Sequence, residues 1–378
     1  MCGLKSLSWD SEWRKNRRHY ALSSHMKRQT ILAIDVGATK VAWAIGQPGL
    51  DRRVAIPGQP ARAPFDLLGC GVAPLEASTG NWPSDPMVLA ETLERALSEA
   101  GISRVPECGV AALSHPALQH RQVTAHVELA DEPVTIRGRD LERVQALAVT
   151  QALAIDREVL VVEPLGYSGN GFSGVQDPRG LAATRFSGAF HLTTIPVAVR
   201  RVMLQALELL GVELEEVAWG LKAAIASGMV EQWRGERVLL VDLGGSSSDV
   251  ALLDHGVLVK AQTVPWGGKN QLGALQEHLE EFLRDELPPV RAIVTGRAAL
   301  IDGLLEGFET AIGVPTALGR SPWARALGEL PRQVALSPVL GMLALAISHF
   351  TPARASFAPS GLLDRVVNRT KQILVDYF

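Results

Sequence analysis

Two stretches of the chain share one pattern of apolar and polar positions. In each, an apolar run leads into Asp-x-Gly, small or hydroxyl residues follow, and a second apolar run comes next, at 31–42 (ILAIDVGATKVA) and at 238–251 (VLLVDLGGSSSDVA). The leading aspartates, Asp35 and Asp242, lie 207 positions apart. Short apolar runs joined by a glycine turn are typical of β-hairpins with buried strands. The sequence therefore predicts an internal repeat with one such hairpin in each half.

The residue types in these turns suit phosphate binding. Glycine lets backbone N–H groups approach phosphate oxygens, and small hydroxyl residues add donors without bulk. A carboxylate at the strand end can hold Mg²⁺ through water, so Asp35 and Asp242 are the metal candidates. The candidate phosphate residues are Asp35, Gly37, Ala38, Thr39, Lys40, Asp242, Gly244, Gly245, Ser246 and Ser247. Ordinary hairpin turns are the alternative, because Asp and Gly are common in them.

The composition of the chain excludes some classes of function but does not identify one. The 378 residues are enough for two or three domains, and 47% hydrophobic residues is an ordinary globular value. A net charge of −3 argues against a nucleic-acid partner. Cys2, Cys70 and Cys108 are too scattered for a metal site and indicate a reducing cytosol. No secretory signal or membrane-spanning run is predicted, and residues 1–27 are expected to be a disordered extension.

Further motifs resemble those of the FtsA family of bacterial cell-division proteins. They occur in the family's order along the chain, and each one is weak by itself. They lie at 68–74, 109–115, 133–144, 177–181, 264–268 and 294–296. Together with the two turns, they make the chain similar to FtsA within the actin, DnaK and sugar-kinase superfamily.

The resemblance implies an α/β, two-lobed actin-like ATPase fold, built from duplicated ribonuclease-H-like domains with a small inserted α+β subdomain. The expected parts are a first lobe at 28–115 and 191–212, the inserted subdomain at 116–190, a second lobe at 213–355, and a linker with a C-terminal helix at 356–378. It also implies ATP and Mg²⁺ as cofactors, with Thr295 and Gly296 in the adenosine turn.

Three departures from the family pattern concern the second lobe. Only about 25 residues separate Gly268 from Thr295, where the family has a longer segment that covers the adenine. Arg297 stands where the family has a second glycine, and residues 219–224 lack the family's acidic residue. The second lobe is therefore predicted to be reduced. ATP binding is expected rather than efficient hydrolysis, with a weak ATPase as the upper limit, and a relic site is the alternative.

The last segment predicts an amphipathic helix that lies on a membrane surface. Apolar residues share one face after the break at 359–361, and basic residues flank them, as in the FtsA membrane-targeting helix. The membrane candidates are Leu362, Leu363, Val366, Val367, Arg369, Lys371, Ile373, Leu374 and Phe378. A terminal helix docked on its own protein is the alternative.

The resemblance implies a function in cell division. It predicts a nucleotide-responsive adaptor that tethers the FtsZ ring to anionic lipids on the cytoplasmic side of the inner membrane, as a peripheral protein, and it leaves self-polymerisation open. A PilM-like cytoplasmic adaptor of type IV pilus assembly is an alternative that needs no lipid-binding helix. A sugar kinase is a further alternative, because 35–40 (DVGATK) is close to that family's pattern, but the chain shows no catalytic Asp loop or Cys/His zinc cluster.

Overall fold

We describe the protein from a computed structural model that covers residues 30–49, 62–75, 82–268, 270 and 272–350. The strands are β1 Ile31–Val36, β2 Lys40–Pro48, β3 Phe65–Pro74, β4 Cys108–Leu113, β5 Gln119–Glu128, β6 Val134–Thr135, β7 Arg157–Gly169, β8 Phe172–Val175, β9 Ala182–Ala183, β10 Arg185–Pro196, β11 Glu213–Trp219, β12 Arg237–Leu243, β13 Ser248–Asp254, β14 Val257–Val264, β15 Arg291–Thr295 and β16 Thr316–Leu318. The helices are α1 Pro86–Glu99, α2 Gly138–Ala152, α3 Val197–Leu209, α4 Gly220–Ala226, α5 Leu272–Leu283, α6 Leu304–Ile312 and α7 Leu330–Phe350.

Two five-stranded sheets repeat one topology. The first has the order β11-β4-β1-β2-β3, and the second has the order β14-β13-β12-β15-β16. In each, three antiparallel strands come first in the chain and two parallel strands follow on the other side. The strands β1 and β12 are central and almost fully buried, because each carries an uninterrupted apolar run. The repeat predicted from the sequence thus corresponds to two lobes with the same sheet.

The inserted subdomain lies between β4 and α3 in the chain. It has a four-stranded sheet, ordered β5-β10-β7-β8, with α2 packed on β5 and β10 and a small ribbon of β6 and β9. Its core is separate from the others and centres on Val144, Tyr167, Phe186 and Phe190. This subdomain also contacts the second lobe, since β5 and β7 lie against the edge strand β14.

The first lobe includes more of the chain than the sequence predicts. The sequence assigns residues 213–355 to the second lobe, yet β11 is the edge strand of the first sheet and α7 packs on β1, β2, β3 and β4. Likewise, residues 191–196 complete β10 of the inserted subdomain rather than the first lobe. The prediction is wrong here because an apolar run does not indicate which of two similar sheets it will cover.

Helix α7 also corrects the expectation that no segment is long and apolar enough to span a membrane. Its 330–348 stretch has a mean hydropathy of 1.5, which meets the length and composition of a membrane span, but 78% of it is buried inside the protein. Residues such as Leu336, Leu340 and Leu343 pack on alanines of the first sheet. A helix that is apolar all round is typical of a buried core helix, and that is the place of α7.

Candidate functional site

The first hairpin turn lies at the carboxyl end of β1. Gly37 donates its backbone N–H to the Lys40 carbonyl oxygen at 3.0 Å, which closes the turn. The buried Asp35 carboxylate accepts a hydrogen bond from the Lys40 ammonium, with 2.7 Å between Nζ and Oδ2. Lys40 also donates to the Ala335 carbonyl oxygen of α7 at 3.3 Å. Lys40 therefore fixes the turn both to its own strand and to the helix beyond it.

The second turn has the same closure and an additional support. Gly244 donates its N–H to the Ser247 carbonyl oxygen at 3.2 Å, and Gly268 donates to the Gly244 carbonyl oxygen at 3.1 Å. Gly267 packs so closely that a Cβ there would lie 2.1 Å from the Gly245 carbonyl oxygen. The loop at 265–268, which the sequence marked only as a family motif, thus backs the second turn and requires glycine to do so.

The two turns face each other across one cavity between the lobes. A Cβ placed on Gly245 would lie 3.0 Å from the Thr39 methyl carbon, so the turns are nearly in contact. Eleven of the twelve predicted phosphate and adenosine residues line this cavity: Asp35, Gly37, Ala38, Thr39, Lys40, Asp242, Gly244, Gly245, Ser246, Ser247 and Gly296. Thr295 lies behind it, buried, and its hydroxyl has no partner among the described residues. The predicted residues therefore come together, although the chain separates them by about 200 positions.

Sequence reasoning missed several residues that also line the cavity. Ser114 follows β4 and belongs to the family motif at 109–115, but the sequence analysis did not assign it to the site. Val334, Ala335 and Pro338 come from α7, and no local pattern could place them here. Arg297, at the position where the family has a second glycine, also lines the cavity.

Carboxylates make the site electrostatically unusual. Burial, together with the neighbouring Asp249 and Asp35, raises the pKa of Asp242 to about 7, while Lys40 opposes the shift. Burial likewise raises the pKa of Asp249 to about 6, against a hydrogen bond from Thr263 that lowers it. Asp242 and Asp249 are direct cross-strand partners on β12 and β13. Lys40 and Arg297 thus lie beside two acidic side chains of the cavity wall, Asp35 and Asp242, and Asp249 is buried next to Asp242.

The raised pKa of Asp242 predicts a pH-dependent stability. Between about pH 4 and pH 7 the folded protein holds a proton on Asp242 that the unfolded chain has lost, so this contribution to stability disappears as pH rises through that range. Replacing the carboxyl by an amide removes the effect. We expect Asp242→Asn to be more stable than the wild type at pH 8, with a gain that shrinks by on the order of 2 kcal/mol at pH 5.

Urea unfolding at the two pH values, without Mg²⁺ or nucleotide, measures this difference. Asp285→Asn, at an exposed carboxylate beyond α5, serves as the matched control and should show no such pH-dependent gain. An Asp242→Asn gain that is equal at pH 5 and pH 8 would contradict the raised pKa.

The residues present suit Mg²⁺ in the mode expected from the sequence. Among the described residues no group of three or more His, Cys, Asp or Glu side chains is arranged to hold a metal ion by itself. Mg²⁺ commonly takes one or two carboxylates and completes its shell with water and phosphate oxygens. The Asp35 carboxylate already forms an ion pair with Lys40. The Asp242 carboxylate lines the same cavity, and Lys40 acts on it only through longer-range electrostatic attraction. Asp242 is therefore the better placed of the two metal candidates.

The cavity is small in this conformation. Its volume is about 60 Å³. A water molecule needs about 10–15 Å³ on this measure, so there is room for a few waters. Sites for larger organic ligands enclose roughly 300–1,000 Å³. The two lobes must therefore move apart before a nucleotide can enter between the turns.

Comparison with known proteins agrees with this architecture. Residues 116–194 match the family described as the SHS2 domain inserted in FTSA. The chain is 22% identical over 298 residues to the cell division protein FtsA of Escherichia coli (strain K12), over 78% of this chain and 66% of that protein. The chain is therefore similar to FtsA. With Pseudomonas aeruginosa FtsA it shares 23% identity over 65% of this chain and 57% of the other.

The FtsA resemblance inferred from the motifs is thus confirmed, and the inserted subdomain carries its most specific part. The chain spans about two thirds of the length of E. coli FtsA, so a third of that protein has no matched counterpart here. Among solved structures, a chain of a PilM–PilN type IV pilus biogenesis complex superposes with a TM-score of 0.61 at 15% identity, over 85% of this chain and 99% of that one. That likeness confirms the two-lobed actin-like fold.

Proposed function

We propose that this protein is an FtsA-like adaptor that tethers the FtsZ ring to the cytoplasmic face of the inner membrane. One observation carries the proposal. The sequence match to FtsA runs across most of the chain and includes the SHS2 domain that is inserted in FtsA, which in this structure lies between the two halves of an actin-like lobe. The proposed role implies FtsZ and anionic lipids as partners, and self-polymerisation through the lobes remains a further expectation.

The adaptor role includes a response to ATP with Mg²⁺. The backbone amides of the turns at 38–39 and 245–247 would donate to phosphate oxygens, and Asp242 would hold Mg²⁺ through water. When bound, Mg²⁺ would neutralise charge between the phosphates and the acidic cluster. We assign ATP binding without efficient turnover. Arg297 in the cavity wall and the short connection from Gly268 to Thr295 support this assignment.

The proposed membrane contact is the C-terminal amphipathic helix. All of its candidate residues, from Leu362 to Phe378, lie outside the described residues, so the proposal depends on the sequence pattern. Half-burial of about six apolar side chains would contribute on the order of 5–8 kcal/mol before the cost of ordering the helix. A single copy would bind weakly, and a polymer holding many copies would gain avidity.

Co-sedimentation with anionic liposomes tests the tether. We expect full-length protein to pellet with the liposomes and to bring FtsZ with it, whereas a variant ending at Pro359 stays in the supernatant. Ile373→Asp should abolish pelleting, because it places a charge on the apolar face. Gln372→Asp adds the same charge one position away, on the polar face, and should weaken pelleting at most severalfold.

Two results would count against the proposal. If full-length and truncated proteins both stay in the supernatant, the tether is wrong and the PilM-like alternative gains, since its membrane attachment would come from a bound partner. If the liposomes pellet the protein but never FtsZ, the membrane part stands and the partner is wrong.

A further inference from the structure

One histidine of the inserted subdomain contacts both lobes. His120 lies on β5, and its ring packs against the indole of Trp219, the last residue of β11 in the first sheet, with 4.7 Å between ring centroids. Its Nε2 lies 3.0 Å from the Thr263 hydroxyl oxygen on β14 of the second sheet. A second contact crosses the seam between β5 of the subdomain and β14 of the second lobe, where the Gln122 side-chain amide donates to the Val259 carbonyl oxygen at 2.9 Å. The subdomain therefore bridges the two lobes.

Hydrogen bonds connect this bridge to the predicted phosphate site. Thr263 donates its hydroxyl proton to Asp249, with 2.5 Å between Oγ1 and Oδ1. Asp249 is buried and is the cross-strand partner of Asp242, which lines the cavity. Two hydrogen bonds thus separate His120 from the strand that carries the second phosphate turn. A change in the position of β13 or β14 would therefore reach the inserted subdomain through this contact and through the Gln122–Val259 hydrogen bond.

The hydrogen bonds have a fixed direction. Because the single Thr263 proton goes to Asp249, Thr263 accepts at the other contact and His120 must donate from Nε2. Burial and the neighbouring His191 together lower the pKa of His120 to about 3, so the ring is neutral and its Nδ1 is an acceptor. His191 Nε2 and the Thr193 hydroxyl both lie 3.2 Å from that Nδ1. In this series of hydrogen bonds, His120 of the inserted subdomain donates to Thr263, and Thr263 donates to the Asp249 carboxylate of the second lobe.

We propose that the His120–Thr263 contact is a latch by which the inserted subdomain holds the interlobe cleft in its closed, nucleotide-excluding form. The inference rests on the proposed binding of nucleotide. The subdomain is continuous with the first lobe through β4 and α3, and its β5 is bonded to the second lobe, so relative motion of the lobes strains the seam. The cavity of about 60 Å³ between the turns is too small for a nucleotide, so its widening would loosen the latch.

Loss of the latch should raise nucleotide affinity. When only an open form binds, apparent affinity falls with the fraction of closed protein, and a change that favours opening restores it. Thr263→Val keeps the side-chain shape and the β-strand preference but removes the hydroxyl. We expect Thr263→Val to bind Mg-ATP about fivefold more tightly than the wild type, the effect of one hydrogen bond. The amides of β14 should also exchange with deuterium faster in the absence of nucleotide.

Thr193→Val is the matched control. It removes a hydroxyl that contacts the same imidazole, but from within the inserted subdomain, so it should leave both Mg-ATP affinity and exchange in β14 unchanged. Gln122→Ala is a second test at an exposed residue, where failure to fold is not a concern. It removes the other bond across the seam and should tighten Mg-ATP binding about twofold.

Isothermal titration with Mg-ATP and hydrogen–deuterium exchange give clear outcomes. Tighter binding and faster β14 exchange in Thr263→Val, with neither change in Thr193→Val, support the latch. If the wild type binds Mg-ATP and Thr263→Val binds equally or less tightly, the latch is wrong and the proposed function stands. If neither wild type nor Thr263→Val binds Mg-ATP, the nucleotide response fails and the latch fails with it.

Discussion

Replacing Gly341 by alanine is expected to lower the free energy of unfolding by about 3 kcal/mol. Gly341 lies in α7 where that helix crosses α4, and an added Cβ would lie 1.7 Å from the Ala223 carbonyl oxygen. The clash is with backbone, so no side chain can rotate away and the two helices must separate. Because α7 covers the first sheet and also walls the phosphate cavity, the separation should disturb both.

Urea unfolding of Gly341→Ala beside Gly273→Ala measures this effect with its own control. Gly273 is also a helical glycine, in α5, but it is exposed, and a Cβ added there would meet nothing within 4 Å among the described residues. Alanine there should stabilise the protein by about 0.5–1 kcal/mol, because alanine loses less backbone entropy on helix formation. Equal stability of Gly341→Ala and the wild type would show that α7 and α4 are not in backbone contact.

Removal of the Lys40 ammonium has the second largest expected effect. Lys40→Met should lower the free energy of unfolding by about 3 kcal/mol at pH 8, because it leaves the buried Asp35 carboxylate without its partner. The two side chains are only 13% and 8% exposed, so solvent screens the pair weakly. The nearby Asp242 would then face an uncompensated negative charge.

A double-mutant cycle separates this cause from lost packing. Asp35→Asn with Lys40→Met replaces the pair by two uncharged side chains and should recover most of the loss, since the cost comes from the unpaired charge rather than from the missing bond. Urea unfolding of the wild type, both single variants and the double variant completes the cycle. A double variant as unstable as Lys40→Met would indicate that the lysine acts through its contact with α7.

The two phosphate turns could be predicted from the sequence because their signals are local. An apolar strand, Asp-x-Gly and a second apolar strand together specify a hairpin with little help from elsewhere, and Asp35 and Asp242 occupy equivalent positions at the ends of β1 and β12. The Gly-rich segment at 265–268 was a weaker signal. Its role depends on the tertiary structure, in which Gly267 packs against the carbonyl oxygen of Gly245.

The sequence by itself therefore determined the repeated hairpins, the relation to FtsA and the chemistry of the turns. Tertiary structure decided which sheet β11 would join and which sheet α7 would cover. It also decided how closely the turns approach and that His120 would contact Thr263, 143 positions away in the sequence. The physical reason is that backbone preferences and turn chemistry act over a few residues, whereas apolar packing is non-directional. Apolar side chains specify that a surface will be buried, and only the assembled fold specifies against what.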